Sequence, residues 1–242
     1  MPRGPDILYQ DDHLLVINKP AGVLTIPGRQ GEVALREVLA EQLKIASELR
    51  LVHRLDRPTS GVLVLAKTID AQRGLSRQFR RREVDKFYLA LVRGVPDSPA
   101  GLIDVPLAPH PRQRHLMTVL RTRGRPSQTE WELVERFKRF SLLRCKLLTG
   151  RQHQIRVHLN HIGLPLAVDE HYGGAEALCL SEFKRGYQTS RRGPERPLID
   201  RLTLHAERLT FTHPATGEPF TSEAPLPKDF RATLNQLRKY GR

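Results

Sequence analysis

The sequence predicts an α+β fold, with a mixed, largely antiparallel central sheet flanked by helices and loops. Three observations carry that expectation. Strand-like and helix-like segments follow one another without regular alternation, which argues against a doubly wound parallel sheet. Val62-Leu63-Val64-Leu65-Ala66 is an unbroken apolar run of strand length, as expected for a strand buried on both faces. Ala71, Leu75 and Phe79 recur every four residues among Arg73, Arg77 and Arg80, the pattern of an amphipathic helix.

In chain order, strands are expected at about Ile7–Tyr9 and Leu14–Asn18, followed by a turn through Lys19-Pro20-Ala21-Gly22. A helix is expected at Val33–Leu43. The apolar strand and the arginine-bearing helix come next, then strands at Phe87–Val92, Leu116–Leu120, Thr129–Glu135 and Ser141–Leu147. Thr149-Gly150-Arg151 opens a short helix, with Thr149 as N-cap, Ile155, Leu159 and Ile162 as its apolar stripe and Gly163 as its stop. Residues 173–201, rich in Gly, Arg and Pro, read as a loop insertion. Leu202–Thr212 returns to strand, Pro214-Ala215-Thr216-Gly217 turns, and Asp229–Lys239 closes the chain as a helix. No repeat or low-complexity linker divides the sequence, so 1–242 reads as one domain.

Composition excludes several classes. The 242 residues carry 40 Lys plus Arg against 26 Asp plus Glu, a formal charge of +14, with 39% hydrophobic and 27% charged content. That mix is globular rather than disordered. The longest apolar runs fall far short of the ~18 residues of a membrane span, and the N-terminus lacks the apolar core of a signal peptide. Cys145 and Cys179 stand in no metal or redox spacing. A cytoplasmic, monomeric protein with no membrane partner is expected.

The basic residues are clustered. Residues 71–93 hold seven of them (Arg73, Arg77, Arg80, Arg81, Arg82, Lys86 and Arg93) against Glu83 and Asp85. Residues 108–126 hold Arg112, Arg114, Arg121, Arg123 and Arg125 with no acid. Arginine's planar fork suits phosphate contact and base stacking, and polyanion binding gains from released counterions. The charge pattern therefore favours a nucleic acid over a membrane surface.

Two segments are candidates for chemistry. In Leu51-Val52-His53-Arg54-Leu55-Asp56-Arg57-Pro58-Thr59-Ser60-Gly61, Asp56 lies between two arginines on a turn at the mouth of the buried strand. Neighbouring guanidinium groups favour a charged carboxylate, and loops on a rigid scaffold are where catalytic groups often sit. The same residues also suit a structural salt bridge with Thr59 or Ser60 capping the turn. In Thr149-Gly150-Arg151-Gln152-His153-Gln154-Ile155-Arg156-Val157-His158, the helical period puts Arg156 at the edge of the buried face. From there an arginine reaches a cleft and can pair with a buried carboxylate. Tyr88, inside Lys86-Phe87-Tyr88, suits either core packing or a site.

Cofactor chemistry finds no support in the sequence. His153, His158 and His161 lack partners at zinc spacing. His205-Ala206-Glu207 matches half of a zinc deaminase signature, but the Pro-Cys-x-x-Cys half is missing. Phosphate-binding glycine loops, nucleophile elbows and dinucleotide fingerprints are absent. No metal and no cofactor are expected.

Taken together, these segments resemble the RluA family of RNA pseudouridine synthases. The resemblance rests on Ile7-Leu8-Tyr9-Gln10-Asp11-Asp12, Asn18-Lys19-Pro20-Ala21-Gly22, His53-Arg54-Leu55-Asp56 with Thr59-Ser60-Gly61, and Gln78-Phe79. It continues through Lys86-Phe87-Tyr88, Thr149-Gly150-Arg151 with His153-Gln154-Ile155-Arg156, and Leu204-His205-Ala206-Glu207. With six residues before the first expected strand, the likeness is to the short members without an N-terminal S4 RNA-binding domain. The resemblance implies the pseudouridine synthase catalytic fold and isomerisation of a uridine in a ribosomal or transfer RNA stem-loop. It implies Asp56 as nucleophile, Tyr88 as the tyrosine stacked on uracil, Arg156 as the ion-pairing arginine and Arg54 as filler of the gap left by a flipped base. Arg57, Arg77, Arg80, Arg81, Arg112, Arg114 and Arg151 are the expected RNA-binding residues. The alternatives are a catalytically silent RNA-binding or ribosome-assembly module on the same scaffold, and a DNA-binding regulator, for which no helix-turn-helix pattern exists.

Overall fold

The computed structural model describes residues 5–26, 35, 38, 39, 42, 49–188 and 193–242. In chain order the elements are β1 (Asp6–Gln10), β2 (Leu14–Lys19), β3 (Arg50–Leu51), β4 (Ser60–Ala66), α1 (Ile69–Arg81), β5 (Asp85–Arg93), β6 (Ala100–Asp104) and β7 (Leu107–Pro109). There follow β8 (Met117–Val119), β9 (Gln128–Arg136), β10 (Phe140–Leu147), α2 (Gln154–His161), β11 (Leu204–Thr212), β12 (Pro219–Glu223) and α3 (Lys228–Tyr240). The α+β class is as expected, with mixed, largely antiparallel strand pairing. Most of the helix expected at Val33–Leu43 lies outside the described residues; Leu35, Val38, Leu39 and Gln42 within it are helical.

The chain folds into two compact units, Met1–Phe87 with His205–Pro225 and Tyr88–Leu204 with Leu226–Arg242. The first is organised around β4, every residue of which is buried. β2 runs antiparallel along one edge of β4, from Leu14↔Ala66 to Lys19↔Gly61. On the other edge β11 pairs in parallel, His205 against Ser60 and Ala206 against Gly61, and β3 pairs antiparallel near the end. β1 and β12 extend the sheet from β2 and β11. Gly61 sits at φ +120°, and a Cβ there would overlap the Ala206 backbone. Glycine is what lets the parallel strand approach.

Helix α1 covers this sheet. Thr68 caps its N-terminus by accepting from the Ala71 amide at 3.1 Å. Ala71 and Leu75 are buried as expected, but the third buried position is Gln78 rather than Phe79. The Gln78 carboxamide donates to the Thr212 carbonyl (2.7 Å) and accepts its amide (2.9 Å), mimicking one more ladder rung on β11. Phe79 is half-buried and stacks on the His53 ring at 4.7 Å.

The second unit has strand order β5-β10-β9-β6 and a separate ribbon, β7 paired antiparallel with β8. Leu89, Leu91, Phe140, Leu142, Phe230, Leu234 and Leu237 form its main core, with α3 laid over the sheet. The 173–201 segment adds Leu178 and Ile199 to that core, bridged to each other, and a short 3-10 turn at Leu180–Glu182. Four elements escape the hydrophobic pattern: β3, β6, β7 and β12. β6 alternates exposed and small residues around buried Ile103, and β12 opens on Pro219, so neither shows the apolar run of a buried strand.

The helix after Thr149 also begins later than expected. α2 starts at Gln154, its N-cap is His153 in a left-handed conformation (φ 53°), and Ile162 lies beyond its end, 37% exposed. Thr149 does not cap. Its hydroxyl donates to the Gln154 side-chain oxygen at 2.8 Å and accepts the Gln128 amide at 2.9 Å.

Candidate active site

In the first unit, the Asp56 loop hangs between β3 and β4 and is fixed on both sides of the acid. Before it, Leu55 is buried and shares both backbone groups with one hydroxyl: Thr25 Oγ1 donates to the Leu55 carbonyl (2.9 Å) and accepts its amide (3.3 Å). After it, the Arg57 carbonyl accepts from the Gly22 amide at 2.8 Å and from Lys19 Nζ at 3.2 Å. Lys19 is fully buried, and its ammonium also donates to the carbonyls of Pro20 and Val23, each at 2.9 Å. A lysine at a strand end normally snorkels to water; here the ammonium donates to three carbonyls and ties the β2 turn to the Asp56 loop. The Thr59 amide closes the turn onto the Asp56 carbonyl at 3.0 Å. The carboxylate itself is half-buried, while Arg54 and Arg57 are exposed and Arg57 Nε donates to the Gly22 carbonyl at 3.1 Å.

The flanking histidines are structural. His53 Nε2 accepts the Val64 amide at 3.1 Å, and burial, followed by the nearby Lys86 charge, pushes its pKa down to about 3. His205 Nε2 donates to the Ala224 carbonyl at 3.0 Å, which leaves Nδ1 as acceptor for the Ser60 hydroxyl, also at 3.0 Å. Thr59 and Ser60 are therefore buried supports of the loop, and His205 belongs to the scaffold.

In the second unit, the Thr149–Gln154 turn is built around one carboxamide. Gln154 is buried; its oxygen accepts the Thr149 hydroxyl and the Arg151 amide, and its nitrogen donates to the Gln128 carbonyl and to Thr129 Oγ1, both at 2.9 Å. This turn delivers Arg156, 4% exposed, to a bidentate pair with Asp169: Nε to Oδ2 and Nη2 to Oδ1, each 2.7 Å. The buried carboxylate expected for Arg156 is thus Asp169 for two of its nitrogens. The guanidinium carbon also lies 4.7 Å from the centre of the Tyr172 ring. The Tyr172 hydroxyl accepts the Met117 amide at 2.8 Å and lies 2.7 Å from His153 Nδ1. Tyr88 stands on β5 and is 8% exposed.

The expected RNA-binding arginines fall into sets within each unit. Arg77, Arg80 and Arg81 are exposed on α1, as are Arg54 and Arg57 on the Asp56 loop. Arg112 and Arg114 are exposed on the β7–β8 turn, which is held by the Arg112 and Gln113 amides donating to His110 Nδ1. Arg151 is half-buried beside Gln154. Among the described residues no group of three or more His, Cys, Asp or Glu is arranged to hold a metal, and no helix is long and apolar enough to cross a membrane.

A carboxylate on a rigid loop, a buried ion-paired arginine and arginine-rich surfaces on an α+β scaffold describe an enzyme that works on RNA. The model of the RNA pseudouridylate synthase family matches residues 13–161, and the chain belongs to that family. It is 42% identical over 244 residues to ribosomal large subunit pseudouridine synthase D of Xanthomonas campestris, covering 97% of this chain and 70% of that protein. It is 41% identical over 233 residues to ribosomal large subunit pseudouridine synthase C of Escherichia coli, covering 96% and 70%. Among solved structures it is similar to human RNA Pseudouridylate Synthase Domain Containing 4, with a TM-score of 0.72 at 28% identity over 96% of this chain and 93% of that one.

Sequence reasoning does not single out Lys19, Thr25, Gln154, Asp169 or Tyr172. Lys19 has a signal in Asn18-Lys19-Pro20-Ala21-Gly22, where a cation precedes a tight turn. Asp169 and Tyr172 lie in an irregular stretch whose pattern marks neither.

Proposed function

We propose that this chain converts a specific uridine to pseudouridine in structured RNA of the large ribosomal subunit, with Asp56 as the nucleophile. In that reaction the bond from C1′ to N1 breaks, one from C1′ to C5 forms, the C5 proton leaves and N1 regains a proton. Atoms and electrons balance within the nucleoside, so no oxidant, reductant or external group takes part. The nucleotide must leave the stack to expose C1′ and C5, at a cost of a few kcal/mol, and a stem-loop lowers that cost.

The roles follow from the residue chemistry. Asp56 supplies the carboxylate that acts as nucleophile. Tyr88 offers a ring to stack on uracil and a phenol to assist loss of the C5 proton. Arg156 is the ion-pairing arginine, and Arg54 fills the place of the extruded base. Arg57, Arg77, Arg80, Arg81, Arg112, Arg114 and Arg151 contact phosphates. The protein works as a monomer.

The observation that carries this reading is the two-sided anchoring of the Asp56 loop. A structural salt bridge does not require its carboxylate to stand half-exposed on a turn pinned by a buried ammonium, whereas a nucleophile does require fixed placement. The names of the relatives favour ribosomal over transfer RNA. Tritium release from large-subunit RNA carrying 5-tritiated uridine tests the proposal. The wild type should release tritium and leave a single pseudouridine detectable by carbodiimide adduct, while Asp56→Asn should bind the RNA and release none. Equal release by Asp56→Asn would sink the assignment, and release from transfer RNA alone would sink the substrate.

A further inference from the structure

Among the described residues of the second unit, Tyr172 joins the arginine-bearing ribbon to Arg156. Its ring is 6% exposed and packs with Leu107 and Leu116 of the ribbon, with Met117 and Val119 against them, and with Val157 of α2. The opposite use of the ring is electrostatic: the Arg156 guanidinium sits over it at 4.7 Å, a cation–π distance. The hydroxyl then makes two bonds in different directions. It accepts from the Met117 amide at the start of β8 and bonds His153 Nδ1 at 2.7 Å, the histidine tautomer deciding which of the two donates. His153 holds the left-handed backbone conformation that begins α2, three residues before Arg156. A non-glycine residue there is sparsely populated, and such positions persist where surrounding contacts over-determine them.

Asp169 constrains the same arginine from another side. Its two oxygens take Nε and Nη2, and the Asp169 Oδ1 atom also accepts the His171 amide at 3.2 Å. The guanidinium plane is therefore set by Asp169, its height above the ring by Tyr172, and the entry of its helix by the His153–Tyr172 bond. The Tyr172 hydroxyl bonds both the β8 backbone and the α2 N-terminus, so the ribbon cannot move at Met117 without disturbing that bond.

We infer that Tyr172 is a positioning residue for the uridine isomerisation, holding Arg156 in its reactive orientation and linking that orientation to the seating of the β7–β8 ribbon on RNA. This rests on the function proposed above. It predicts a defect in the chemical step with RNA affinity nearly intact, because Tyr172 is covered and its partners are internal.

The test is single-turnover tritium release with saturating enzyme, alongside RNA affinity by filter binding, for the wild type, Tyr172→Phe, Tyr172→Leu and Asp169→Asn. Tyr172→Phe keeps the ring beneath Arg156 and removes both hydroxyl bonds. It should slow the step about tenfold, leave affinity within twofold and remain folded. Tyr172→Leu and Asp169→Asn should slow it about a hundredfold, so that Phe rescues part of what Leu forfeits. A Tyr172→Phe enzyme with wild-type rate would overturn the inference, as would one with weakened RNA binding and an unchanged single-turnover rate. Absence of tritium release from the wild type would instead overturn the proposed function, so the two failures are distinguishable.

Discussion

The buried ammonium of Lys19 donates to the carbonyl of Arg57, 38 residues away, and so fastens the end of β2 to the loop that presents Asp56. It also donates to two further carbonyls, those of Pro20 and Val23. The charge is fully removed from water, and its worth depends on all three bonds being made at once.

Replacing Lys19 by Met should therefore remove the ammonium from the Pro20 and Val23 carbonyls, and from the Arg57 carbonyl that the Gly22 amide still serves, while keeping the chain's volume. A loss of stability on the order of 3 kcal/mol is expected, read from the urea midpoint. Tritium release should fall further than the folded fraction does, because on the Arg57 side the Asp56 loop then keeps the Gly22 amide bond without the ammonium. A variant with wild-type stability would show that the ammonium contributes nothing net.

Gly61→Ala should be more severe than an exposed glycine change. The new methyl meets the Ala206 backbone, and φ +120° is already costly for any L side chain. Destabilisation of roughly 2–4 kcal/mol is expected from chemical denaturation. By contrast Gly186→Ala meets open space and only the backbone strain of φ +66°, so it should cost about 1–2 kcal/mol. Similar losses for the two would contradict the close parallel approach.

Two histidines set the acid side of stability. Burial pushes His53 down to about 3 and His158 down to about 4, the latter opposed by the Val105 carbonyl that accepts its Nε2 proton. In the unfolded chain both titrate near ~6.5. Below that pH the unfolded state takes up protons that the folded state refuses. Stability contributed by the neutral rings is thus present above pH ~6.5 and declines as pH falls toward 4, by a few kcal/mol in all. Nitrogen NMR at pH 5.5 should show both rings neutral, His53 protonated on Nδ1 and His158 on Nε2. A charged ring at that pH would contradict the geometry.

The RNA contacts of the ribbon arginines can be read by salt. Arg112→Ala with Arg114→Ala should weaken RNA binding and lower the slope of log affinity against log salt by about 0.7–0.9 for each phosphate that is no longer neutralised. An unchanged slope would remove both residues from the RNA surface.

Much of this was legible in residue types and periods. β4 is an apolar run because both of its faces are covered, and α1 shows its stripe because one of its faces is. The loop of Asp56 was visible as an acid between arginines beside turn formers. What stayed hidden depended on partners distant in sequence. Gln78 looks like a surface residue until Thr212 offers both backbone groups. Arg156 signalled a buried carboxylate without saying which, because Asp169 lies in an aperiodic segment 13 residues on. Thr149 resembled a cap because hydroxyls before helices usually are one; Gln154, a longer side chain, took that hydroxyl for the turn instead. β6 and β12 leave no such signal, since exposed strands with one buried position carry little period.

The first unit is closed by a strand drawn from far downstream: Ser60 meets His205 across 145 residues. A nascent chain emerging in order exposes β4 with one edge open while the whole 88–204 stretch is still being made. Such distant pairing is slow to form. Maturation of the Asp56 loop must then wait until β11 has been made, and a polypeptide released before β11 would leave the buried, apolar β4 as a bare template for aggregation.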